Sequence, residues 1–281
     1  MATCERRGRL SIVFAGVFAA IVSGCGEVPA GRLAPFFTAP ITINGEPIGD
    51  AVIDTGGGFE LMLRKPFGLR IIDEATVLAF GGQVVVDVTE GFAYTAAGTP
   101  ATAAAALVGT PVCDCNGLGF LFFQQTGTVL ALDFPMGTAA FLRSLPPADV
   151  VIPFSAPPDQ LPDFDSAFIE IEVSMGNASI RTLGLLDTGA AVTIVRRGLV
   201  GVPGLFTPNQ LEVVIGHEQL GTLGATVGLH ETAGLPDVIL GNDLMATWAN
   251  QWYFDFAPGA GRVSVVFGGA QAIDTTSTQT E

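Results

Sequence analysis

The residues best placed to do chemistry are two aspartates set in nearly the same phrase. Asp54 ends an apolar run in "AVIDTGGGFELML" (Ala51 to Leu63), and Asp187 does so in "GLLDTGAAVTIVR" (Gly184 to Arg196). A carboxylate after an apolar strand is costly to bury unless it has a use. If the fold brings the two together, they cannot both ionise cheaply, so they share a proton and titrate as a unit. Such a pair holds a base and an acid side by side. The ionised member can take a proton from water, and the protonated member can donate a hydrogen bond to an electrophile. Gly56 and Gly189 follow, where a tight turn and a close approach of backbone amides need a residue without a side chain.

The elements that must position these loops are strands. Gly 36, Pro 18 and abundant Phe and β-branched residues favour short strands and many turns over long helices. "APITINGEPIGDAVIDTGG" reads as two strands around a turn at Asn44-Gly45, and "AFIEIEVSMGNASIRTLGLLDTGA" repeats that plan with its turn near Gly176-Asn177. The repetition continues downstream. Gly119 in "GLGFLFFQQTGTVLALDFP" matches Gly241 in "ILGNDLMATWANQWYFDFAP", and Asp133-Phe134 then falls opposite Asp255-Phe256. In each half an apolar-Gly step leads into a helix-like segment and then a strand, which points to an internal duplication. Asp133 and Asp255 suit capping or turn roles, and Trp248 and Trp252 suit core packing.

An apolar strand, Asp-Thr-Gly, a glycine-tipped hairpin and an apolar-apolar-Gly step before a helix resemble the retropepsin-like aspartic proteases. The likeness spans about residues 36–268, with the second half the better fit. It implies an all-β fold of two similar lobes related by a pseudo-two-fold axis, with the active site at their interface. It implies an aspartic endopeptidase, a hydrolase in which water held between Asp54 and Asp187 attacks the peptide bond. No cofactor or metal is called for. Thr55 and Thr188 would hydrogen-bond across the interface and, with Gly56 and Gly189, support the two loops. Gly119 and Gly241 would let a chain segment pass close behind each loop. Gly81 and Gly82 lie 27 and 28 residues after Asp54, and Gly216 lies 29 after Asp187. They resemble the tips of flaps that close over an extended peptide, though each would equally suit an ordinary surface hairpin. Gly57 departs from the family, which uses alanine, serine or threonine there. Gly57-Gly58 is expected to loosen the first loop.

The rest of the chain sets the context. The net charge is −15 with a single lysine, Lys65, which speaks against nucleic acid as a partner. Residues 1–24 combine Arg6, Arg7 and Arg9 with an apolar stretch and read as a signal peptide. That segment ends in "VSGC", which resembles a bacterial lipobox. The resemblance implies lipid attachment at Cys25, membrane anchorage and a place in the bacterial cell envelope. Gly26 after the cysteine favours the outer membrane. Residues 25–33 form a tether, 34–144 and 166–268 the two lobes, 145–165 their connection, and 269–281 a polar, disordered tail. Cys113 and Cys115 are a possible disulfide, and two histidines, His217 and His230, offer no metal-ligand spacing. A monomer acting on peptide or protein substrate is expected. The competing reading is a non-catalytic peptide-binding or structural envelope lipoprotein on the same fold.

Overall fold

A computed structural model describes residues 36–79, 82–109, 115–159, 166–175, 177–196, 199, 206–215 and 222–267. The expected signal peptide, tether and tail, with Cys25, Gly81, Cys113 and Gly216, lie outside the described residues.

The first hairpin is β1 (Thr38–Ile43) and β2 (Glu46–Asp54). Ile43 pairs with Glu46 around Asn44 (φ 51) and Gly45 (φ 85), the two left-handed residues that a tight hairpin turn requires. Next come β3 (Leu61–Leu63), β4 (Ile71–Ala79), β5 (Gly82–Thr89), β6 (Phe92–Ala96), β7 (Thr99–Ala103), β8 (Leu107–Val108) and β9 (Asn116–Gly119). They form a nine-stranded sheet in the order β4-β5-β8-β3-β9-β2-β1-β6-β7. The short helix α1 (Phe120–Thr126) follows, closed by Gly127 in the left-handed region. Then come β10 (Val129–Asp133), β11 (Thr138–Leu142) and β12 (Val150–Pro153).

The second half begins with β13 (Phe168–Met175) and β14 (Ala178–Leu186), which pair up to Met175 and Ala178; Gly176 of the expected turn lies outside the described residues. β15 (Thr193–Arg196), β16 (Phe206–Ile215), β17 (Thr222–His230) and β18 (Val238–Leu240) complete a closed barrel ordered β13-β14-β18-β15-β17-β16. The last described elements are α2 (Asn242–Trp248), β19 (Gln251–Asp255) and β20 (Arg262–Val266). The fold is thus all-β, with two single helices of seven residues each among the described residues. None of these helices is long and apolar enough to cross a membrane.

The two halves share one sheet, ordered β11-β10-β19-β20-β12. Its central pairing joins them, with Leu130 opposite Phe254 and Leu132 opposite Trp252. β12 lies inside the proline-rich stretch expected as a connection. Its apolar run supplies Ile152 to the core and pairs with β20. One hydrophobic cluster runs through both halves and this sheet, with Phe120 and Phe123 each 5.9 Å from Phe256. Trp248 and Trp252 are buried and stacked, as packing residues. Asp133 accepts hydrogen bonds from the Met136 amide and Gln251, and Asp255 accepts from the Ala257 amide, so both serve turns.

Candidate functional site

Asp54 is the last residue of β2, and Asp187 follows the last residue of β14. Both strands run beside a second, parallel strand: Asp54 is level with Gly119 of β9, and Leu186 with Leu240 of β18. The loops then turn alike. The Gly57 amide bonds the Asp54 carbonyl at 3.1 Å, and the Ala190 amide bonds the Asp187 carbonyl at 3.2 Å. Each helix start docks on its loop, with the Phe120 amide on the Gly57 carbonyl and the Asn242 amide on the Ala190 carbonyl.

Gly119 and Gly241 are what make this docking possible. A Cβ on Gly119 would overlap the Phe59 carbonyl and come within 2.7 Å of the Gly57 oxygen; one on Gly241 would overlap Val192. Both glycines have extended backbones (φ −86 in each case), so space and not strain demands glycine here.

The threonines couple the loops directly. The Thr55 amide donates to the Thr188 hydroxyl at 3.1 Å, and the Thr188 amide donates to the Thr55 hydroxyl at 3.0 Å. Each hydroxyl then donates onward, Thr55 to the Leu186 carbonyl (2.8 Å) and Thr188 to the Ile53 carbonyl (2.7 Å). Four buried bonds, between residues more than 130 positions apart in sequence, therefore fix one loop against the other. Ser166 adds a fifth, donating to the Thr55 carbonyl, and Asn242 steadies the other side by donating to the Thr188 carbonyl.

This exchange brings the carboxyl groups of Asp54 and Asp187 within hydrogen-bonding reach of each other. Both residues are fully buried. Gly56 and Gly189 sit across the pair: a Cβ on Gly189 would lie 2.7 Å from the Asp54 carboxyl carbon, and one on Gly56 would collide with the Asp187 carboxyl. The Gly189 amide donates to Asp187 Oδ1 at 2.8 Å. Asp187 Oδ2 and both Asp54 oxygens have no well-formed hydrogen bond from another group.

Burial dominates the electrostatics. It pushes the Asp54 carboxyl up to about 6, with contact to Asp187 and the Gly56 and Gly57 amides offsetting part of the rise. Asp187 is raised well above the ordinary carboxylate range, by burial first and by the Asp54 charge second. The pair therefore keeps a proton at pH values where an exposed aspartate has lost it. A half-protonated, desolvated pair can activate a water and polarise a carbonyl at once.

Gly57 has a definite reason. A Cβ there would collide with the ring of Phe59 and approach Asp54 Oδ2 to 2.9 Å. The ring fills the place that a small side chain would take, so the first loop is packed there; the expected loosening is not what the contacts show. Phe59 also joins Met62, Ala75, Val77, Val86 and Leu107 in a cluster beneath the β4–β5 hairpin.

Of the expected flap residues, Gly82 opens β5, and β4 and β5 pair up to Ala79 and Gly82. Leu78 of that hairpin reaches the second half, 3.0 Å from where a Cβ on Gly234 would stand. The other expected tips, Gly81 and Gly216, lie outside the described residues. Tyr94 lies in β6, off this hairpin, and its hydroxyl donates to Glu60. Cys115 is disulfide-bonded. Glu60, Ser166, Thr193 and Asp243, which buttress the two loops, carry no motif of their own in the sequence. No protein-family model matches this chain, and neither does any curated protein.

Proposed function

We propose that this protein is an aspartic endopeptidase of the retropepsin-like type, with both lobes in one chain and Asp54 and Asp187 as its catalytic pair. The observation that carries the reading is the pair of fully buried, adjacent carboxyl groups held by the reciprocal Thr55–Thr188 bonds, an arrangement that favours a shared proton. The matched loop turns, the matched helix starts at Gly119 and Gly241, and the shared central sheet support a pseudo-two-fold arrangement of lobes around that pair. The ionised aspartate takes a proton from a water between the carboxyls as that water attacks the scissile carbonyl. The protonated aspartate donates to the carbonyl oxygen, and the amine leaves after proton transfer. The Asp54 and Asp187 loops are so alike that either residue can be the base. Substrate is an extended peptide lying under the β4–β5 hairpin, read through backbone hydrogen bonds. Attachment to the bacterial envelope through a lipid on Cys25 belongs to the same reading.

The test is incubation with a mixed-peptide library followed by mass spectrometry. Asp54→Asn and Asp187→Asn each lower cleavage by at least about 100-fold, because asparagine neither accepts the water proton nor shares the charge. The double variant is little worse than either single one, as expected for residues acting as a unit. Cleavage of the same bonds by Asp187→Asn at the wild-type rate would transfer the assignment to a peptide-binding protein.

A further inference from the structure

The chain leaving each Asp-Thr-Gly loop is tied to the helix behind that loop by a carboxylate, but the carboxylate comes from opposite sides in the two halves. In the second half it is Asp243, in the first turn of α2. One oxygen, Oδ1, accepts from the Thr193 amide (2.8 Å), the Thr193 hydroxyl (3.0 Å) and the Leu244 amide (2.7 Å). The Thr193 hydroxyl oxygen also accepts from the Gly241 amide at 3.2 Å. Thr193 stands six residues after Asp187, and the residue six after Asp54 is Glu60. There the acid is on the loop exit and the helix supplies the donor: Gln125 of α1 donates to Glu60 Oε2 at 3.2 Å, and Tyr94 donates to Oε1 at 2.9 Å. The Glu60 carbonyl accepts from the Gly119 amide. Leu121 occupies the place, two residues past the glycine step, that Asp243 holds in the other half.

Neither acid belongs to the catalytic pair, and both lie where their burial raises the carboxyl above its ordinary range. A partly desolvated carboxylate is costly unless its bonds matter. Between each catalytic aspartate and its brace the chain is loop, "TGGGF" or "TGAAV", with no strand ladder to hold it until β3 or β15 begins. An anchor at the loop exit therefore limits how far the aspartate can drift.

We propose that Asp243 and Glu60 are positioning residues for the Asp54–Asp187 pair, each bracing one loop exit against its helix so that the two carboxyls stay in contact. The kinetic consequence rests on the peptidase reading; the geometric consequence does not. Two measurements separate them. In the first, the effect of Asp187→Asn on the pH dependence of Tm is measured in the wild-type and Asp243→Leu backgrounds. This comparison cancels the titration of Asp243 itself. If the brace holds the pair together, Asp187→Asn changes the pH dependence by a measurably smaller amount once Asp243→Leu is present, because the part of the rise that comes from contact with Asp54 is lost while the part from burial remains. In the second, kcat and KM are measured on a peptide that the wild type cleaves. Asp243→Leu lowers kcat about tenfold or more, since small displacements of reacting groups cost that much, and leaves KM within about twofold. Asp243→Asn, which keeps the Oδ1 acceptor, restores most of the loss, as a merely space-filling role would not require. Should Asp243→Leu fail to fold, Thr193→Val removes only the hydroxyl link, and Tyr94→Phe probes the Glu60 side by the same readings. A folded Asp243→Leu with wild-type kcat and an undiminished response to Asp187→Asn overturns the proposal. A wild type that cleaves no peptide removes the peptidase reading, and the Tm comparison still decides the braces.

Discussion

At the scale of single residues, the central fact is that Asp54 and Asp187 are fully buried against each other. Their raised proton affinity links stability to pH with a definite sign. Between the ordinary aspartate value of 3.8 and the folded value of about 6 for Asp54, the native state holds protons that the unfolded chain has released. Stability from this source is full below the lower value and is lost as pH rises through the upper one. Asp243, raised to about 6 by burial, acts in the same direction. Tm is therefore expected to fall from pH 4 to pH 7.5. General repulsion in a chain of charge −15 also lowers stability as carboxylates ionise, so the informative quantity is a difference. Asp187→Asn flattens the decline. An equally steep decline in that variant would show that the pair does not share a proton.

At the scale of elements, the two loops are held by hydrogen bonds as much as by packing. The Thr55 hydroxyl accepts from the Thr188 amide and donates to the Leu186 carbonyl, all buried. Thr55→Val keeps the shape and strands both partners, at about 1–3 kcal/mol for each buried group left unpaired. Thr55→Ser retains both bonds and is expected to lose under half as much. Urea denaturation of the three proteins measures the difference. Equal stability of Thr55→Val and wild type would mean that the exchange contributes nothing net. The first loop shows how an element can satisfy the same need by other means. Gly57 lacks the methyl that Ala190 supplies, and the Phe59 ring takes its place. The sequence departs from the pattern while the packing around Asp54 remains full.

At the scale of the whole molecule, the halves are not separable bodies joined by a linker. β10 and β19 pair at the centre of a common sheet, β12 from the intervening stretch extends it, and one hydrophobic cluster includes residues of both halves. Burial shared in this way makes partial unfolding expose core on the half that remains. Unfolding in urea is expected to be a single transition. Fluorescence of Trp248 and Trp252, both in the second half, should coincide with far-UV circular dichroism, to which the strands of both halves contribute. Two separated transitions would contradict a common core. The same sharing matters for the site, because the relative placement of Asp54 and Asp187 depends on how the halves dock.

The sequence alone determined whatever depends on neighbours in the chain. Asn44-Gly45 makes the first hairpin turn because both residues tolerate positive φ, and Ile43 then meets Glu46. The repeated Asp-Thr-Gly phrases, the glycine steps at Gly119 and Gly241, and the helices after them were legible because each is a local pattern with a local cause. Tertiary structure decided what depends on approach across long separations. Thr55 meets Thr188, Leu132 meets Trp252, and Ser166 meets Thr55 only after the halves have docked. Glu60 and Asp243 looked like ordinary acids in the chain, because the partners that give them meaning, Tyr94 and Gln125 for one and Thr193 for the other, come from distant positions. Val150–Pro153 read as part of a connection among prolines and became a strand because β20 offered it an unpaired edge. The raised proton affinity of the two aspartates likewise belongs to the folded molecule, since it arises from burial and mutual proximity that only docking supplies.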